Sequence, residues 1–335
     1  MKQTRFEPQW LLSGAFFLAG IFFGGLGIYI FLNLSLPTFS KIHPPASSYK
    51  YINPLLAVDI NQEKNFSSNK ALELGIKGLI DDRRQHGDIQ DAAIYIRNVE
   101  SGAWVGINEN EKFSPGKLLK IPIMIAYFKF GEGDPSVFDE KIRFAGSATV
   151  DNESLPTQQL ENGKEYTIDD LIRRMVAYND NGAANLLFDY IDKKTLNEVY
   201  SDLGAGFQED KETDDFISVK AYSLFFRVLY NATYLSRGSS EKALSILAEA
   251  GDSKRGLGAT FPKEIPVAET TGSRKDVNKG PNTVELRDCG IVYFPKHPHL
   301  FCAMARGNSR EHIEQWFKDV GRLLYSDIRY RYATE

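Results

Sequence analysis

The sequence predicts an α+β fold: an antiparallel sheet flanked by terminal helices, set beside an all-helical lobe and preceded by one N-terminal transmembrane helix. Three observations carry this. Short runs of strand-like alternation cluster toward the two ends of the folded part, the long middle has helical periodicity, and the stretch from Trp10 to Leu36 holds no charge.

That apolar stretch comes first. No charged residue lies between Glu7 and Lys41, and the run exceeds the roughly 20 residues that a helix needs to cross about 30 Å of hydrocarbon. It is longer than the apolar part of a signal peptide, and no A-x-A cleavage pattern follows it, so it reads as an uncleaved anchor. Lys2 and Arg5 before it favour the N-terminus inside, which predicts a single-pass membrane protein with its C-terminal domain extracytoplasmic. Gly20 and Gly24 form a G-x-x-x-G pair through which two such helices could associate as a homodimer, with glycine as ordinary filler the alternative. The expected organisation is a short cytoplasmic N-terminus at 1–9, the anchor at 10–36, a tether at 37–68 rich in proline, serine and asparagine, and a folded domain at 69–330.

The domain opens with ALELGIKGLIDDRRQHG, apolar at helical spacing, and continues into DAAIYIRNVESGAWVGINE, two alternating runs around a turn at Ser101-Gly102. The middle reads as helices: KLLKIPIMIAYFKF, then TIDDLIRRMVAY with Thr167 as N-cap, GAANLLFDYI, and SVKAYSLFFRVLYNATYL. IPVAETTGS, VELRDCGIVYFP and HLFCAMARG then read as strands, and EHIEQWFKDVGRLLYSDI as a closing amphipathic helix.

Several chemistries lack their residues. The net charge of −4 is spread without a basic stripe, so nucleic acid is not an expected partner. His43, His86, His297, His299 and His312 include no H-x-x-x-H pair and none placed as a catalytic base, and neither a phosphate loop nor a dinucleotide fingerprint occurs. No metal or cofactor is expected. Cys289 and Cys302 fall on neighbouring strands; buried thiols are the preferred reading, a cross-strand disulfide the alternative.

Three segments in order carry the remaining chemistry: FSPGKLLKIP at 113–122, YNDNGAANLL at 178–187 and VAETTGS at 267–273. Together they resemble the class A β-lactamase and penicillin-binding serine hydrolase superfamily, whose members carry S-x-x-K, S-D-N or Y-x-N, and K-T-G in that order. The resemblance covers about residues 70–328 and implies the fold already described. In its register the nucleophilic serine falls on Lys117, followed by Leu118, Leu119 and the motif lysine Lys120. Asn179 stands at the serine of the second motif, with Asp180 and Asn181 matched, and Thr270 stands at the lysine of the third, with Thr271, Gly272 and the anion-binding backbone of Ser273 matched. Ser114-Pro115-Gly116-Lys117 is a literal S-x-x-K, but Ile121-Pro122 after Lys120 fixes the register on Lys120, and a helix cap followed by proline explains Ser114.

The resemblance therefore implies a catalytically impaired homologue that binds or scaffolds at the cell envelope, with a peptidoglycan peptide or an envelope protein as partner. The alternatives are an active serine hydrolase using Ser114 and an amine catalyst using Lys117, whose ammonium would repel that of Lys120 unless a carboxylate such as Asp180 or Glu269 compensates. Glu209 and Glu212 are the candidates for the lactamase deacylating glutamate, in a segment without the E-x-x-L-N pattern.

Overall fold

The computed structural model describes residues 49–53, 69–114, 120–146, 160–203, 217–250, 256–275, 279–280 and 282–332. The anchor expected at 10–36 lies outside these residues; among the described ones no helix is long and apolar enough to cross a membrane.

Helix α1 (Lys70–Gln85) starts where Asn69 accepts a hydrogen bond from the Leu72 amide, and it buries Leu72, Ile76 and Ile80, spaced four apart on one face. Strands β1 (Asp91–Asn98) and β2 (Trp104–Ile107) form the expected hairpin, with Gly102 supplying a positive φ of 78° at its turn. Strand β3 (Lys112–Phe113) leads to helix α2 (Lys120–Gly131), and β4 (Lys141–Arg143) pairs with β5 (Glu165–Thr167). Thr167 caps α3 (Ile168–Ala177) through the Asp170 amide, as its sequence position predicts. Helices α4 (Asn181–Tyr190), α5 (Lys193–Asp202), α6 (Val219–Tyr230) and α7 (Arg237–Glu249) complete the helical lobe, and β6 (Ile217–Ser218) pairs with β3 at its border with the sheet. Strands β7 (Val267–Lys275), β8 (Val284–Val292) and β9 (His299–Gly307) precede the closing helix α8 (Arg310–Tyr332).

The main sheet is antiparallel, in the order β2-β1-β9-β8-β7, so β7 is an edge strand. Alternation divides its side chains between two cores. Ala268, Cys289, Ile291, Cys302 and Met304 join α2 to α7 in one, whereas Val267, Leu286, Phe301, Ala303 and Ala305 pack with α1 and α8 in the other. On α8, Ile313, Trp316, Phe317, Val320, Leu324 and Ile328 recur at helical spacing and are all buried. The α+β arrangement with a five-stranded antiparallel sheet and a helical lobe is thus the one the periodicity predicts.

Two features differ from the sequence reading. Cys289 and Cys302 are directly opposite in the β8–β9 register and are joined as a disulfide, where unlinked thiols had been preferred. Antiparallel pairing is the reason, since it places the two Cβ atoms on the same face of adjacent strands.

The second is Tyr49–Asn53, within the expected tether, which packs on the helical lobe. The Glu241 carboxylate accepts the backbone amides of Lys50, Tyr51 and Ile52 at 2.7, 2.8 and 3.0 Å. Asn53 donates its amide to Tyr230 O, Ile52 is buried, and the Tyr51 ring meets Tyr293 edge-on at 5.2 Å. Glu241→Ala strips two partly buried amides and one exposed amide of their acceptor, so it should lower stability by about 1–3 kcal/mol. Denaturant melts would show this, together with faster proteolysis before residue 54; an unchanged midpoint would contradict the strap.

Candidate functional site

The segment 115–119, which includes Lys117, and the segment 204–216, with Glu209 and Glu212, lie outside the described residues. The structure does place the other residues singled out by the sequence. Lys120 opens α2, is 2% exposed, and donates from Nζ to Asn179 Oδ1 at 2.5 Å. Residues 59 apart in sequence thus meet across the helical lobe.

The backbone explains why an asparagine suits position 179. Its φ of 55° is left-handed, a region that asparagine enters more readily than most side chains. Asp180 follows as the N-cap of α4, with Oδ1 accepting from the Gly182 and Ala183 amides at 2.8 and 3.1 Å. This local role accounts for an aspartate there, while its Oδ2 is buried and has no hydrogen-bond partner among the described residues. Asn181 is the first residue of α4.

Strand β7 sorts the third segment by alternation. Thr270, 5% exposed, lies opposite Cys289 and shares the lobe-facing side with Ala268, as does Gly272, opposite Arg287. Thr271 and Ser273 point to the terminal-helix side, where Arg310 Nη1 lies 3.4 Å from Ser273 Oγ. Because β7 is an edge strand, one row of its backbone donors and acceptors has no strand beside it among the described residues.

Glu269 lies on the face of β7 opposite to that of Ala268 and Thr270. It projects toward the terminal helices under Gly258, where a Cβ would come within 2.1 Å of its Oε2. Asp288, opposite Thr271, lies under the neighbouring Gly256 and accepts the Leu257 amide. Burial pushes the Asp288 carboxyl up to about 7, against the opposing pull of that amide. On the hairpin end of the sheet, burial lowers His299 to about 4, although its ring nitrogen bonds His297 O.

Ser114 is fully buried, and its Oγ accepts a hydrogen bond from Arg274 Nη1. A guanidinium is a donor only and cannot serve as the base that a serine nucleophile needs.

The sequence reading missed the charges inside the sheet. Arg287 is paired with Glu285, which also approaches Arg306 Nε at 3.1 Å, and Arg306 reaches Asp91 at 3.7 Å. The available signal was the run of Glu285, Arg287 and Asp288 within a strand otherwise built of apolar residues. By register, Arg274, Arg287 and Arg306 share the lobe-facing side of the sheet. Among the described residues no group of three or more histidine, cysteine, aspartate or glutamate side chains is placed to hold a metal ion.

A sequence model of the family described as "Beta-lactamase enzyme family" matches residues 72–328. No curated protein matches the chain in sequence. Among solved structures, PBP-A is 19% identical, with a TM-score of 0.65 over 79% of this chain and 98% of that one. A β-lactamase from Sphaerobacter thermophilus is 20% identical, with a TM-score of 0.62 over 76% of this chain and 95% of its own. The TLA-1 extended-spectrum β-lactamase is 15% identical, with a TM-score of 0.67 over 78% and 99%. At such identities the solved structures speak to fold alone, but the family match spans most of the chain, and on that match the chain belongs to the β-lactamase enzyme family.

Proposed function

We propose that this chain is a catalytically impaired member of its family that binds or scaffolds at the outer face of a membrane. One observation carries the reading: the first motif runs Lys117-Leu118-Leu119-Lys120, with an amine where the family's nucleophilic hydroxyl stands. A lysine that captured an acyl group would hold it as an amide, which does not turn over as an ester does.

The surroundings support a loss of chemistry with a site retained. Lys120 remains buried against Asn179, the second motif keeps its helix cap, and β7 keeps its open edge. Thr270 removes a second cation from the opposite wall. What remains suits an anionic or peptide ligand, such as a peptidoglycan stem peptide, or an envelope protein. Anchorage through 10–36 is part of the proposal, supported by that charge-free run, and the Cys289–Cys302 disulfide is in keeping with an oxidising compartment.

The test is acylation by a fluorescent penicillin, read as intact mass on the full chain and on Lys117→Ser. The expected result is no adduct on the parent and a near-stoichiometric adduct on Lys117→Ser. A parent that is itself acylated would overturn the proposal. If Ser114→Ala then abolished that adduct, the rival reading of an active hydrolase using Ser114 would replace it.

A further inference from the structure

We propose that Arg274 is a positioning residue: it locks Ser114, just after β3, against edge strand β7 and so sets how closely β7 sits against the β3–β6 border of the helical lobe. The inference concerns the site of the proposed function but stands on geometry that is the same whether or not the site is catalytic.

Residues 112–114 are the junction. Lys112 and Phe113 pair with Ser218 and Ile217 of β6, which leads into the helical lobe. Two arginines of the sheet hold this junction at successive residues. Arg306 of β9 donates to Lys112 O at 3.2 Å and lies over the Phe113 ring at 4.6 Å. Arg274 of β7 donates to Ser114 Oγ.

The two contacts differ in consequence. Arg306 belongs to a central strand and is itself held by Glu285. Arg274 belongs to the edge strand, which among the described residues pairs with β8 alone, and it lies two residues beyond Gly272 on the same lobe-facing side. Its bond to Ser114 therefore ties the edge strand to the β3–β6 border. Ser114 is fully buried, so water cannot readily replace a donor taken away from it. On the opposite side of the strand, Arg310 lies beside Ser273 Oγ, so adjacent residues of the edge are pinned from both faces of the sheet.

Amide hydrogen exchange on the full chain tests this, using Arg274→Ala, Arg274→Lys, Ser114→Ala, Ser114→Thr and the double alanine variant. Arg274→Ala and Ser114→Ala should each speed exchange in 112–114 and 272–275 by at least about tenfold, as loss of one charge-assisted bond implies. Exchange in the centre of β1 and β9 should stay at the parent rate. The double variant should match the single ones, Ser114→Thr should retain parent protection, and Arg274→Lys should fall between. Unchanged exchange in both segments, a rise spread evenly over the sheet, or additive effects in the double variant would overturn the proposal. Because acylation is not read, failure of this lock is separable from failure of the impaired-enzyme reading.

Discussion

Asp288→Asn should gain stability relative to the parent as pH rises from about 4 to about 7, by on the order of a few kcal/mol over that window. The sign follows from proton counting. Burial raises Asp288 from an ordinary 3.8 to about 7, so across that window the folded chain keeps a proton that the unfolded chain has released. Stability from this group is present at acid pH and lost as pH rises through about 7. Asparagine removes the titration and keeps an oxygen for the Leu257 amide.

His299 carries the opposite slope. Its folded value of about 4 lies below the ordinary 6.5, so its contribution is present above pH 6.5 and lost as pH falls toward 4. Relative to the parent, His299→Gln should lose stability as pH rises through that window. In the parent the two slopes largely offset each other, and each variant unmasks the other group. Urea midpoints at several pH values would read both, and a pH profile unaltered by Asp288→Asn would refute the assignment.

Glu285→Gln should cost about 3–5 kcal/mol, the range for breaking a buried ion pair from one side. Glu285 and Arg287 are both fully buried, and Arg306 beside them is 5% exposed at its side chain. The amide keeps the shape but leaves two guanidinium groups without their shared carboxylate. A urea titration with Glu311→Gln, on the first turn of α8, as an exposed control would measure it. A loss below about 1 kcal/mol would show that the arginines are neutralised elsewhere.

What could be read from the chain followed the range of each interaction. The spacing of Leu72, Ile76 and Ile80, the Gly102 turn and the Thr167 cap are local, and each reads directly from a few neighbouring residues. The Lys120–Asn179 contact was legible through family motifs alone, since nothing local joins residues 59 apart. The strap at Tyr49–Asn53 left almost no pattern, because Glu241 recognises its backbone amides and not its side chains. Arg274 and Ser114 were equally hidden, because their pairing depends on which face of β7 looks toward the junction.

The strand order has a kinetic meaning. Asp91 of β1 pairs with Arg306 of β9, with the whole helical lobe between them in sequence. Until the last strand is available, the Ala92–Ile96 run of β1 has only the four-residue β2 beside it. Closing the sheet therefore comes late and demands a large loop closure, which favours slow folding and prolongs exposure of an apolar strand. For a chain made from its N-terminus onward, the five-stranded sheet is complete only after β9 has been made.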